Sequence, residues 1–274
     1  MDDSRGLLLK ATDLSIVFGG LRAVDGFSCE LYSGELVGLI GPNGAGKTTV
    51  FNMLSGIYTP SAGEISFWDR LGKRRDAAGK SPALLNRMGV SRTFQNIRLF
   101  GNLTVEDNVR IALHTGRAAS PVDVLLRLPR YRRDEQRMIE ATGELLSLFR
   151  IDGKKHELAR NLPYGEQRKL EIARALAGNP LLLLLDEPAA GMNPQETEDL
   201  MKLISFIRGE FRLTILLIEH DMRLVMGICE RLVVLDYGRI IAAGDPAGIR
   251  RDPAVIKAYL GEDAVSPSGE GSHG

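Results

Sequence analysis

The spacing of apolar and polar positions changes several times along the chain, and each change marks an element. Over residues 9–18, Lys10, Thr12 and Ser15 stand between apolar neighbours, and residues 27–31 continue in the same manner. A period of two predicts strands with one face buried, here an antiparallel pair. Residues 36–40, Leu-Val-Gly-Leu-Ile, carry no polar side chain and predict a strand covered on both faces. A glycine cluster ends that run. Beyond it Val50, Met53 and Leu54 fall at helical spacing, which predicts a helix over residues 47–57. Residues 65–68 read as a further short strand, and residues 70–86, polar and interrupted by glycine, as a loop.

From residue 102 to residue 161 the period is that of amphipathic helices. Val105, Val109 and Leu113 lie four apart, and a second pattern runs over residues 144–149. This block predicts a helical subdomain inserted into an α/β domain. Apolar strands then return at 181–185, 214–218 and 232–235, alternating with helices at 167–177, 194–208 and 222–230. Such alternation calls for a parallel sheet covered by helices, so the fold class is α/β. Asp236-Tyr237-Gly238-Arg239 predicts a hairpin turn. The end of the chain, residues 263–274, rich in Ser, Gly and Pro, predicts a flexible tail after a single domain over residues 1–262.

Composition narrows the function classes. The 274 residues carry 35 basic and 35 acidic side chains, a balance unlike that of a protein that coats nucleic acid, and no nucleic-acid partner is expected. No apolar run approaches the roughly 18 residues of a membrane helix, and no secretory signal is expected from the first ten residues. Cys29 and Cys229 lie far apart with no CxxC spacing, as expected of buried thiols rather than of a disulfide or zinc site. Glycine, at 30 residues, exceeds the usual share of about 7% and points to tight backbone turns.

The turn that matters most is Gly41-Pro42-Asn43-Gly44-Ala45-Gly46-Lys47-Thr48, which fits GxxxxGK[ST] between a buried strand and a helix. Glycines there let consecutive backbone N–H groups face a polyphosphate, and the helix N-terminus adds positive potential. Lys47 can reach the β and γ phosphates and the Thr48 hydroxyl can ligate Mg²⁺. The strand 181–185 ends in Asp186-Glu187. On a parallel sheet both carboxylates project toward the ligand edge, Asp186 to hold Mg²⁺ through water and Glu187 to serve as general base on the attacking water.

With these motifs the chain resembles the ATPase subunits of ABC transporters. The resemblance implies a P-loop cassette with a RecA-like core, an N-terminal antiparallel β subdomain and a helical subdomain inserted at about residues 96–165. Phe18 falls where the family stacks an aromatic on adenine. Gln95, in Arg92-Thr93-Phe94-Gln95, matches the glutamine loop, which reaches the metal and the membrane subunit. Leu162-Pro163-Tyr164-Gly165-Glu166-Gln167 resembles the signature motif, and His220 the switch histidine. The resemblance therefore gives catalytic roles to Glu187, His220 and Gln95, and metal contacts to Thr48, Gln95 and Asp186. It gives nucleotide contacts to Phe18, Asn43, Gly44, Gly46, Lys47, Thr48 and Thr49, and to Tyr164, Gly165 and Glu166. The expected cofactors are ATP and Mg²⁺.

Two departures from the family's general pattern stand out. Pro163 and Tyr164 replace the serine and first glycine of Leu-Ser-Gly-Gly-Gln, and Ala190-Gly191-Met192-Asn193 ends in Asn where Ser-Ala-Leu-Asp ends in Asp. Both, together with Arg-Thr-Phe-Gln-Asn-Ile-Arg-Leu-Phe, are similar to the larger ATPase subunit of branched-chain amino-acid importers. That resemblance implies two membrane-spanning permease subunits as partners and, indirectly, a solute-binding protein. It implies a second ABC ATPase subunit, a heterodimer being favoured over a homodimer because proline lacks the serine's hydroxyl, and a place on the cytoplasmic face of the inner membrane. The rival reading is a soluble ABC-type ATPase acting on DNA or ribosomes. The charge run over residues 127–137 is read as a solvated helix face.

Overall fold

The computed structural model describes residues 5–114 and 129–260. The expected tail at 263–274 and the first residues of the 127–137 charge run lie outside these. The chain forms two compact units, one holding residues up to Gly79 together with those from Leu216 onward, the other spanning Lys80–Ile215.

In the first unit, β1 (Leu7–Phe18) and β2 (Leu21–Tyr32) form the antiparallel pair that the alternation predicts. They join β4 (Ala62–Trp68) and β5 (Arg74–Asp76) in the order β2-β1-β4-β5. A second group is built on β3 (Leu36–Ile40), buried at every position and paired in parallel with β9 (Arg231–Asp236). Antiparallel β10 (Arg239–Gly244) follows β9 through Tyr237-Gly238, whose φ values of 41° and 78° are those of a type I′ hairpin turn. Helix α1 (Lys47–Leu54) leaves the end of β3's connecting loop and buries Val50, Phe51, Met53 and Leu54.

The second unit holds α2 (Pro82–Met88), β6 (Val90–Arg92), α3 (Val105–His114), α4 (Pro129–Leu148), α5 (Tyr164–Ala177), β7 (Leu182–Asp186) and α6 (Pro194–Glu210). β6 and β7 run parallel, with Arg92 opposite Leu184. α3 packs on α5 through a stripe that includes Val105 and Val109, both fully buried. α6 opens with a full capping box: the Asn193 side chain accepts from the Glu196 N–H and the Glu196 carboxylate accepts from the Asn193 N–H. β8 (Thr214–Ile218) contains the boundary between the units. Among the described residues no helix is long and apolar enough to cross a membrane.

The segment 70–86 departs from the expected loop, since it contains β5 and the start of α2. β5 is short and polar. Its residues Arg74 and Asp76 pair with Trp68 and Ser66, and Arg74 Nε donates to the Ser66 hydroxyl at 2.9 Å, so no apolar alternation announces it. α2 did carry signals. Ser81 caps it, Pro82 takes the first helical position, and Gly89 closes it at φ 109°. α5 starts three residues ahead of the expected 167, because Pro163 has the extended conformation (φ −54°, ψ 152°) of a helix entry.

Cys229 is buried and Cys29, on β2, half-buried. Burial pushes the Cys29 thiol up to about 11, with the Arg231 guanidinium pulling the other way. The thiolate is the reactive form, so at pH 8 Cys29 should react with a disulfide reagent about a hundredfold more slowly in the native protein than in denaturant. Stopped-flow thiol titration measures this, and a fast-reacting native thiol would contradict it.

Candidate functional site

In the first unit the phosphate-loop sequence is held by close backbone packing. Gly41 has φ 149°, and a Cβ there would overlap the Leu235 carbonyl oxygen. Gly46, at φ 100°, would place a Cβ 2.7 Å from the Ala23 carbonyl oxygen. Only glycine fits either position. The hairpin turn braces the same loop, since the Gly238 N–H donates to the Ala45 carbonyl at 2.9 Å. Buried Lys47 donates from Nζ to the carbonyls of Gly41 and Pro42, both at 2.8 Å, so its ammonium lies against the loop it belongs to. The first turn of α1 has no acidic residue and no side-chain cap, which leaves its N-terminal dipole suited to an anion. Asn43, Gly44 and Thr48 are exposed and Thr49 half-buried. Phe18 is 42% exposed, which rules out a core role, and meets Tyr58 edge-on at 5.2 Å between ring centroids. His220 is exposed just beyond β8, and its N–H donates to the buried Glu219 carboxylate at 3.0 Å.

The second unit brings together Gln95, Asp186 and Glu187. Asp186 ends β7 and is buried, and burial raises its carboxyl above the ordinary value. The Arg92 guanidinium opposes that rise, donating to Asp186 Oδ2 at 2.7 Å with both side chains nearly inaccessible. Glu187 follows with φ 46°, an uncommon conformation for a non-glycine residue that turns the chain out of the strand just ahead of Pro188. Gln95 Nε2 donates to Glu187 Oε2 at 2.7 Å.

Gln95 is placed by α5. Arg168, fully buried, donates from Nη1 to the Phe94 carbonyl at 2.6 Å and from Nη2 to the Gln95 carbonyl at 2.5 Å. Its ion-pair partner Glu171, at 2.9 Å, accepts from the N–H groups of Phe94 (3.4 Å) and Arg98 (3.2 Å). The pair thus grips donors and acceptors of residues 94–98 together. At the start of the helix Tyr164 is 44% exposed, and its hydroxyl accepts from Arg168 Nη2 at 3.0 Å. Gly165 lies close to Glu196, and Glu166 is paired with Lys154 at 2.6 Å. The sequence reading missed Arg92, Arg168, Glu171 and Glu219. Charged residues normally mark solvated faces, and nothing local says that these are buried.

In the first unit the phosphate loop, the Lys47 ammonium and the N-terminus of α1 suit the phosphates of a nucleoside triphosphate. Among the described residues no group of three or more His, Cys, Asp or Glu could hold a metal ion.

The chain belongs to the ABC transporter ATP-binding family, whose members hydrolyse ATP to drive transport: the family model described as "ABC transporter" matches residues 24–190. The model described as "Branched-chain amino acid ATP-binding cassette transporter" matches residues 239–265. The chain is 46% identical over 255 residues to the high-affinity branched-chain amino acid transport ATP-binding protein LivG of Escherichia coli K12, covering 93% of this chain and 98% of LivG. It is 44% identical over 255 residues to BraF of Pseudomonas aeruginosa, named for the same transport, with the same coverage. Among solved structures, the ADP conformation of MJ1267, an ATP-binding cassette of an ABC transporter, aligns over 94% of this chain and all of that one, with TM-score 0.79 and 29% identity.

Removing Arg92 leaves Asp186 a buried carboxylate without its ion-pair partner. Arg92→Ala should therefore cost about 3 kcal/mol at pH 7.5. A carboxyl with a raised pKa takes up a proton on folding, so its contribution to stability falls as pH rises through that pKa. The loss in Arg92→Ala should accordingly shrink at pH 5, where Asp186 protonates more readily. Denaturant unfolding at the two pH values checks this, and an equal loss at both would contradict it.

Proposed function

We propose that this chain is the ATP-hydrolysing subunit of an importer for branched-chain or related amino acids, bound peripherally at the cytoplasmic face of the inner membrane. The observation that carries the hydrolytic reading is the 2.7 Å contact of Gln95 with Glu187, a carboxylate turned out of the end of β7 and held in orientation by a loop that α5 grips. Lys47 and the first turn of α1 bind the β and γ phosphates, Asn43, Gly44, Gly46 and Thr49 line their path, and Phe18 stacks on adenine. Thr48, Asp186 and Gln95 hold Mg²⁺, which, when bound, offsets phosphate charge. Glu187 accepts the proton of the attacking water and His220 contacts the terminal phosphate. The likeness to LivG and BraF over nearly their whole length supports the solute class.

The partners follow from the same reading. Two permease subunits carry the solute, a binding protein delivers it, and a second cassette completes the nucleotide sites. A groove of about 650 Å³ in the second unit suits a short helix of a permease. Its walls include Arg92 and Phe94, immediately ahead of Gln95, together with Arg98, Phe100 and Arg174. A helix seated there would touch the loop that positions Gln95.

Each nucleotide in such a dimer lies against the signature segment of the opposite cassette, here Tyr164, Gly165 and Glu166. Pro163 offers neither hydroxyl nor N–H, so a partner with the ordinary serine makes a heterodimer the better assembly. Glu187→Gln should leave ATP affinity within a few fold and lower turnover about a hundredfold or more. In the assembled transporter it should cost more than the same change in the partner cassette. Equal losses, or a purified transporter with two copies of this chain and no second cassette, would overturn the heterodimer. A wild-type rate would overturn Glu187 as the base.

Phe18→Ala should weaken nucleotide binding by about 1 to 3 kcal/mol, the range for base–aromatic stacking. Titration with a fluorescent nucleotide measures it, and an unchanged dissociation constant would remove Phe18 from the site.

A further inference from the structure

We propose that Tyr164 is a positioning residue whose hydroxyl, acting through the Arg168 guanidinium, sets Gln95 against Glu187 and so ties the state of the signature segment to hydrolysis. The proposal rests on the reading of Glu187 as general base. Every link lies within one compact unit. The Tyr164 hydroxyl accepts from Arg168 Nη2 at 3.0 Å, the same nitrogen donates to the Gln95 carbonyl at 2.5 Å, and Gln95 Nε2 donates to Glu187 Oε2 at 2.7 Å. Nη1 fixes the other end of the guanidinium on the Phe94 carbonyl and Glu171.

Burial gives the relay its force. Arg168 is wholly inaccessible and its Nε is already buried without a partner, so losing the Tyr164 acceptor would leave a second guanidinium proton unpaired, which is costly. Without the Tyr164 oxygen, the guanidinium must tilt toward the acceptors that remain, and two of these are the carbonyls that hold the glutamine loop. The other side of the ring acts on the same contact. A Cβ on Gly191 would sit 3.5 Å from Tyr164 Cε1, so the ring lies over the backbone four residues beyond Glu187. Tyr164 therefore touches a segment attached to each partner of the Gln95–Glu187 bond, while nearly half of its surface remains exposed at the start of α5. Neither contact would exist with the glycine usual at this place in the family. Tyr164, one departure from the general pattern, lies against Gly191, in the segment that carries the other.

Tyr164→Phe keeps the ring over Gly191 and removes only the acceptor. In the full chain with saturating Mg-ATP it should lower kcat about tenfold, the size expected for one hydrogen bond to a charged group. Hydrogen exchange at the amides of residues 94–98 should rise severalfold, while the thermal midpoint stays within about a degree or two. The proposal is overturned if exchange in that segment matches wild type, if exchange rises but kcat does not fall, or if kcat falls only in step with a lowered melting temperature. Glu187→Gln serves as the control. Should it hydrolyse ATP at the wild-type rate, the general-base reading is what has failed. Amide exchange in Tyr164→Phe does not depend on the base and then decides the relay alone.

Discussion

The buried Arg168–Glu171 pair is the interaction on which the placement of Gln95 against Glu187 depends. A guanidinium and a carboxylate one helical turn apart present donors and acceptors that match the polar backbone of residues 94–98, a partly exposed loop with no regular secondary structure of its own. Isolated, either charge would be too costly to bury, but paired, and with both terminal nitrogens of Arg168 hydrogen-bonded, they hold an irregular segment in one conformation. Gln95 inherits that order, and through it Glu187.

The two adjacent acids at the end of β7 are separated in character by their surroundings. Asp186 is inside the fold, with Arg92 against it and a carboxyl raised by burial. Glu187 has left the strand through a positive φ and meets a side-chain amide. A strand followed at once by a left-handed residue gives two chemically similar groups different surroundings, a buried ion pair for Asp186 and a side-chain amide for Glu187.

The phosphate loop achieves its shape by a different route. No buried charge pair is needed, because glycines at 41 and 46 admit carbonyls from β9 and β2 at distances that any side chain would forbid, and the hairpin turn at Tyr237-Gly238 locks the loop from behind. In the signature region, by contrast, the bulky Tyr164 lies within van der Waals range of a Cβ built on Gly191, where a φ of 77° and not the ring is what favours glycine.

Much of this was legible in the chain alone. The fully apolar runs that became β3, β7 and β8, the alternation of β1 and β2 and the glycine spacing of the phosphate loop all reflect local physics: periodic burial and backbone sterics act on neighbours in sequence. The same locality explains what was hidden. β5 carried no period because it is a polar edge, and α2 was announced only by its caps. Arg92 and Asp186 are 94 positions apart, Arg168 and Gln95 73. A charged residue gives no local sign of whether it will meet water or a partner brought from a distant part of the chain. Only the tertiary structure decided that these charges are buried and paired, because the free energy of burying a charge is set by the groups that surround it, and folding alone assembles them.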